Sequence, residues 1–165
     1  MTMNSTNEIK VVNIRMVREP SLYSETPITN PQDVMDTIAK ELATYDREVF
    51  GILNLKSNGQ VINMNICSIG TLNSSMVSGR EVFKSAILSN ASSFICFHVH
   101  PSGNPEPSSE DKAVTEKLAE AGRFLDIPLI DHCIIAGGTG EIYSFKANGL
   151  MDNIQTKMRS EICER

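Results

Sequence analysis

The sequence predicts an α/β fold, a mixed β-sheet flanked by helices, on three observations. Apolar residues recur at helical spacing in some segments and in short strand-like runs in others, and the two kinds interleave along the chain. Two turn signals, Ser57-Asn58-Gly59 and Gly137-Gly138-Thr139-Gly140, each lie between strand-like runs. With 165 residues, 41% hydrophobic, and no internal repeat or low-complexity block, the chain can bury one core and favours one domain.

Taken in order, Val11, Val12, Ile14, Met16 and Val17 suit an edge strand that Pro20 ends, and residues 21–29 read as a loop. Asn30-Pro31 starts a helix, because Asn caps exposed N–H groups and Pro loses nothing at the first helical position. Val34, Met35, Ile38, Ala39 and Leu42 supply its apolar stripe. Residues 48–55 and 61–66 form a hairpin around Asn58-Gly59. Ser78-Gly79 precedes Val82, Phe83, Ala86 and Ile87, which share a helical face, and the helix stops near Asn90. A core strand follows at 94–99. Three prolines and a glycine within 101–107 forbid strand or helix and make a rigid loop. A helix over 109–124 is marked by Ala113, Val114, Leu118, Ala121 and Phe124, and 127–136 with 142–145 closes a hairpin. The polar last twenty residues read as a loose helix or tail.

Composition excludes several function classes. A formal charge of -5 supplies no global positive field, so the balance argues against nucleic-acid binding by this chain alone. The four cysteines, Cys67, Cys96, Cys133 and Cys163, have neither C-x-x-C spacing nor the density of a disulfide framework, and read as reduced thiols. The polar start has no basic and apolar signal pattern, and no uncharged apolar run could span a bilayer. A cytoplasmic protein with no membrane association is expected; oligomeric state is not legible.

The chemistry concentrates in one stretch. His98 and His100 lie two apart on a strand, so their side chains leave one face roughly 7 Å apart at a rise of ~3.3 Å per residue. Seven residues separate His100 from Ser108 and two more separate Ser108 from Asp111, where the next helix begins. Two imidazoles and a carboxylate make the three-ligand set of a catalytic zinc with an open position for water. Zinc brings the pKa of such water to about 7, and a base must take the proton. Glu48, at the start of a core strand in Glu48-Val49-Phe50-Gly51, is placed to shuttle it.

The run His98-Val99-His100-Pro101 with Ser108 and Asp111 resembles the JAMM signature of JAB/MPN metalloproteases, and Glu48-Val49-Phe50-Gly51 is similar to the strand that carries that family's catalytic glutamate. More narrowly, Ser68-Ile69-Gly70-Thr71-Leu72-Asn73-Ser74-Ser75, Arg80-Glu81-Val82-Phe83-Lys84, Pro101-Ser102-Gly103-Asn104-Pro105 and Pro128-Leu129-Ile130-Asp131-His132 resemble the RadC branch. The likeness covers residues 30–146, leaving 1–29 as a strand and loop segment and 147–165 as a tail or short helix. It implies a cytidine-deaminase-like three-layer α/β/α sandwich, Zn2+ on His98, His100 and Asp111, Glu48 as proton shuttle, and Ser108 orienting the water or stabilising the oxyanion. Relatives of this kind cleave amide bonds, commonly isopeptide bonds at the tail of ubiquitin-like proteins, so a peptide or ubiquitin-like substrate is the expected partner. Long RadC proteins carry a helix-hairpin-helix region for which there is no room before Asn30, and this weakens any inherited link to DNA repair. Val99 replaces the usual Asn between the histidines and points to the other strand face. Gly79 replaces the usual Pro before Arg80, which bears on the helix start alone.

Other readings compete. Ser108 and Asp111 by themselves resemble a capping box, and capping can coexist with metal ligation. Glu81 is the rival to Glu48, and Glu110 is a solvated first-turn acid favoured by the helix dipole. Asp131-His132 could orient a ligand, could replace Asp111, or could be structural; a structural or ligand-orienting role is preferred. Cys96 shares the histidine face but reads as a small buried hydrophobe. Against hydrolysis stands a non-enzymatic metal-binding module of DNA repair or mobile elements, for which a fourth protein ligand would close the site. The nucleobase-deaminase and zincin patterns are absent.

Overall fold

A computed structural model describes residue 16 and residues 31–70 and 77–163. The expected N-terminal strand, the Asn30 cap and residues 71–75 of the RadC-like run fall outside that set, Met16 apart. The described chain is a mixed α/β structure: four helices and a five-stranded sheet in the order β2-β1-β3-β4-β5. The strands are β1 (Val49–Leu55), β2 (Val61–Ile69), β3 (Ser93–His100), β4 (Leu129–Ala136) and β5 (Ile142–Ser144). The helices are α1 (Pro31–Leu42), α2 (Gly79–Leu88), α3 (Ser109–Phe124) and α4 (Leu150–Cys163).

Strand alternation divides the core in two. Val49, Leu53, Leu55, Ile95, Phe97, Val99, Cys133 and Ile135 face α1, whose Met35, Ile38, Ala39 and Leu42 cover them. Phe50, Ile52, Phe94, Cys96 and Ile134 face the opposite way, toward α2, α3 and α4. Three layers result, with β1 and β3 at the centre. Gly51 makes room within the sheet for its cross-strand neighbour Phe97, since a Cβ there would stand 2.3 Å from the Phe97 ring and 2.8 Å from the Asn65 carbonyl oxygen. Among the described residues no helix is long and apolar enough to cross a membrane.

The pairing of β3 with β4 is parallel, while β1 with β2, β1 with β3 and β4 with β5 are antiparallel. A parallel pair needs a long crossover. The proline-rich loop and α3 provide it, so the chain leaves β3 at His100 and re-enters the fold as a helix beside that strand's end. The sheet therefore delivers both histidines and the α3 N-terminus to one place.

Four expectations need correction. Strand β2 runs to Ile69, beyond the expected 66, because Ser68 and Ile69 pair with Phe50 and Val49 across a register shift. That pairing satisfies β1 backbone groups whatever the local propensity. On α2 the buried residues are Val82, Phe83 and Ala86, whereas Ile87 is 54% exposed. On α3 the buried stripe is Asp111, Val114, Thr115, Leu118, Ala119 and Gly122; Ala113 is exposed and Phe124 is 84% exposed. Two polar members hide this stripe from a purely apolar count. The expected loose helix or tail is a helix, α4, that seats Met151 and Ile154 in the core beside Phe145.

Truncating Met151 to Ala removes a buried side chain and is expected to cost about 2–5 kcal/mol in urea unfolding. Phe124→Ser, on the solvent side of α3, is expected to stay within about 0.5 kcal/mol of the parent. Equal losses in both variants would contradict this assignment of the α3 and α4 faces.

Candidate metal centre

At the end of β3, His98 is buried and His100 half-buried, with ring centroids 4.5 Å apart and planes at 88°. Val99 between them faces α1, as alternation requires. The backbone beyond His100 is pinned, because its carbonyl accepts from Gly103 N at 3.1 Å and from Gly137 N at 2.8 Å. A Cβ on Gly137 would lie 2.8 Å from Pro101 Cα and 2.9 Å from the His100 oxygen, so the close approach of β4's end to this corner requires glycine.

The loop then organises itself. Asn104 Oδ1 accepts from Glu106 N at 3.1 Å, and the Asn104 carbonyl stands 2.8 Å from His100 Nδ1. A carbonyl only accepts, so Nδ1 carries the hydrogen and, in the neutral ring, Nε2 keeps its lone pair for a metal. Ser108 caps α3: its Oγ accepts from Asp111 N at 3.1 Å, while its own N–H donates to Asp111 Oδ2 at 2.8 Å. The capping box is real, and the same Asp111 faces the histidines.

The Asp111 carboxylate is the hub. Its Oδ1 lies 2.8 Å from His98 Nδ1, and its Oδ2 lies 3.3 Å from His100 Nε2 and accepts from Ser108 Oγ at 2.6 Å. Burial would push the Asp111 carboxyl up, but the hydrogen bonds from His100, His98 and Ser108 hold it far below its ordinary 3.8. The bond to Asp111 raises the His100 pKa above 6.5 against the lowering effect of burial, and the Asn104 carbonyl and the Asp111 and Glu48 charges add to it.

Ligand atoms of His98, His100 and Asp111 lie within 4.8 Å of one another, close enough to converge on one ion. Two further observations fit a metal: the imidazole–carboxylate donor set suits a transition-metal ion better than magnesium or calcium, and the buried Nε2 of His98 finds no hydrogen-bond partner. Among the described residues no fourth Cys, His, Asp or Glu joins this group.

Glu48 immediately precedes β1, and its carbonyl accepts from Gly70 N at 2.8 Å. Since Val49 pairs with Val99 and Phe50 with His98, one more step of the same register sets Glu48 opposite His100, on the histidine face. Its rival Glu81 is on an exposed face of α2, ion-paired with Lys84 at 2.6 Å. Cys96 is buried, with its thiol pushed far up by desolvation and bonded to the Asp131 carbonyl at 3.8 Å, and it stays out of the cluster. Asp131 ties the β4–β5 corner, accepting from His132 N, Ser144 Oγ and Lys146 N at 2.7, 2.6 and 2.8 Å. His132 instead reaches toward Asp111 through Thr115, a residue the sequence reading did not single out. Its position four after Asp111, on the same helix face, was the available signal.

Comparison with known proteins places this chain in a family. A family model for the RadC-like JAB domain matches residues 28–150. A UPF0758 protein of Caldanaerobacter subterraneus subsp. tengcongensis is 44% identical over 125 residues, covering 76% of this chain and 53% of that relative. A UPF0758 protein of Moorella thermoacetica is 44% identical over 128 residues, covering 78% and 55%. One from Methanosarcina mazei is 39% identical over 158 residues, covering 92% and 68%. The chain spans just over half the length of the first two relatives. On the extent of the family match and these identities, the chain belongs to the RadC-like JAB domain family.

Proposed function

We propose that this chain is a zinc metallohydrolase that cleaves amide bonds in the manner of JAMM-type peptidases, with His98, His100 and Asp111 holding the ion. The observation that carries the reading is the two-imidazole, one-carboxylate group at one sheet end, with His98 and Asp111 buried and His100 half-buried; one further step of the β1–β3 register puts Glu48 level with His100. Zinc bound there would supply Lewis acidity, polarising a carbonyl and bringing the pKa of water to about 7.

The residues divide the remaining work. Glu48 takes the proton from the attacking water and returns it to the leaving amine. Asn104 fixes the His100 tautomer, and Asp111 is held by Ser108 at the helix N-terminus, where the dipole favours a carboxylate. The Ser108 hydroxyl hydrogen is committed to Asp111 Oδ2. Ser108 therefore acts first through Asp111, and stabilising an oxyanion requires that hydrogen to turn away. The substrate class is a peptide or isopeptide amide, a ubiquitin-like conjugate included. The free thiols of Cys67, Cys96 and Cys133 suit a reducing cytoplasm.

The competing reading is a non-enzymatic metal module of DNA repair or mobile elements. A structural zinc is normally closed by four protein ligands. With Cys96 and His132 outside the group and no fourth protein ligand among the described residues, the three-ligand set supports hydrolysis over that reading.

The test is metal analysis beside hydrolysis of a panel of fluorogenic peptide and isopeptide amides. Glu48→Gln is expected to keep stoichiometric zinc and lose turnover by about 10²–10⁴, whereas His98→Ala and Asp111→Ala lose the zinc itself. Full turnover in Glu48→Gln would remove that residue from the mechanism.

A pH profile tests the same charges without metal. The stability contributed by the depressed Asp111 is present above its ordinary 3.8 and is lost as pH falls below it. The contribution of the raised His100 is full below 6.5 and is lost as pH rises through its elevated value. Denaturation of the metal-free chain should therefore show greatest stability between those limits, and Asp111→Asn should flatten the profile. An unchanged profile in that variant would place the titration elsewhere.

A further inference from the structure

His132 is a polar residue in an apolar place. On β4 it is 0% exposed, with Phe145 stacked on the ring at 4.7 Å between centroids and 22° between planes. Phe50 meets it edge-on at 6.0 Å and 73°. Desolvation by this setting pushes its pKa down to about 3, so the ring is neutral. Its Nε2 has no hydrogen-bond partner, an arrangement that a phenylalanine or leucine would avoid.

What the ring does with its other nitrogen is specific. His132 Nδ1 lies 2.7 Å from Thr115 Oγ1, and Thr115 Oγ1 donates to the Asp111 carbonyl at 2.5 Å. The hydroxyl has one hydrogen and the carbonyl has none. Once that hydrogen goes to Asp111, Thr115 can only accept from His132, which fixes the Nδ1–H tautomer and leaves Nε2 bare. Bonding from a threonine to the carbonyl four residues earlier is common in helices. A buried histidine from the next strand completing it is not something a helix needs.

Asp111 is thereby gripped at both ends. Ser108 and the two metal-centre histidines hold the carboxylate, and the Thr115–His132 pair holds the peptide that carries it. Asp131, next in sequence to His132, takes no part, because its carboxylate is spent on the β4–β5 corner.

We infer that Thr115 and His132 are positioning residues for the metal centre: the relay from His132 Nδ1 through the Thr115 hydroxyl to the Asp111 carbonyl fixes the first turn of α3 where Asp111 can ligate. This rests on the metal reading above. It assigns to His132 a purpose distinct from Asp131, and it makes the hydroxyl of Thr115, not its bulk, the property that matters.

The experiment measures zinc affinity by competition with a chromophoric chelator, with circular dichroism as the check on folding, for the wild type and four variants. Thr115→Val keeps the shape without the hydroxyl, Thr115→Ser keeps the hydroxyl, and His132→Phe keeps the ring stack without Nδ1; the fourth combines Thr115→Val with His132→Phe. Thr115→Val and His132→Phe are each expected to weaken zinc binding about 10–100-fold. Thr115→Ser is expected to retain wild-type affinity, and the double variant to be no weaker than the weaker single one, as one relay requires. A folded Thr115→Val that binds zinc like the wild type, whatever its thermal stability, overturns the inference while leaving the metal reading intact. So do losses that simply add in the double variant. Absence of zinc uptake by the wild type overturns the metal reading and this inference with it.

Discussion

The interaction on which the rest depends is the seating of one carboxylate between two imidazoles at the edge of the core. A buried charge without partners is costly enough to shift its pKa or displace itself. Asp111 stays ionised because Ser108, His98 and His100 all converge on its two oxygens. Those partners come from a strand end and a helix start that must meet, and the fold is arranged so that they do. The parallel β3–β4 pair demands a crossover, the prolines forbid the crossover from wandering, and the capping box starts α3 where the loop returns.

Sheet register also bears on the proposed proton shuttle. Continued by one residue past Val49, the antiparallel β1–β3 register puts Glu48 level with His100. Catalytic candidates on rigid strand ends hold their spacing better than candidates on loops. The same corner is braced from behind by Gly137 and Gly103 on the His100 carbonyl, and from beneath by Thr115 and His132.

Much of this was legible in the sequence, and for stated reasons. The bounds of α3 followed from the prolines before it, and β1 and β3 from apolar runs too short for helices. The His98, His100 and Asp111 grouping followed from strand period plus a short rigid loop. Side-chain direction was harder to read. Ile87 and Phe124 were expected inward because apolar residues were counted, yet Phe124 lies two residues beyond Gly122, about 200° round the helix at 3.6 residues per turn. The true α3 stripe includes Asp111 and Thr115, polar residues that count against burial until their partners are known. Strand β2 outran its propensity because β1 had backbone groups to satisfy, and α4 joined the core because Met151 and Ile154 found Phe145. Tertiary partners, invisible in a local window, decided each of these.

The most direct measurement of the central claim is X-ray absorption at the zinc edge of the metal-loaded protein. The account predicts a four-coordinate ion with two imidazole nitrogens and two oxygens at about 2.0–2.2 Å, one of those oxygens exchangeable with solvent. A sulfur shell at about 2.3 Å, or a closed set of four protein ligands, would contradict it.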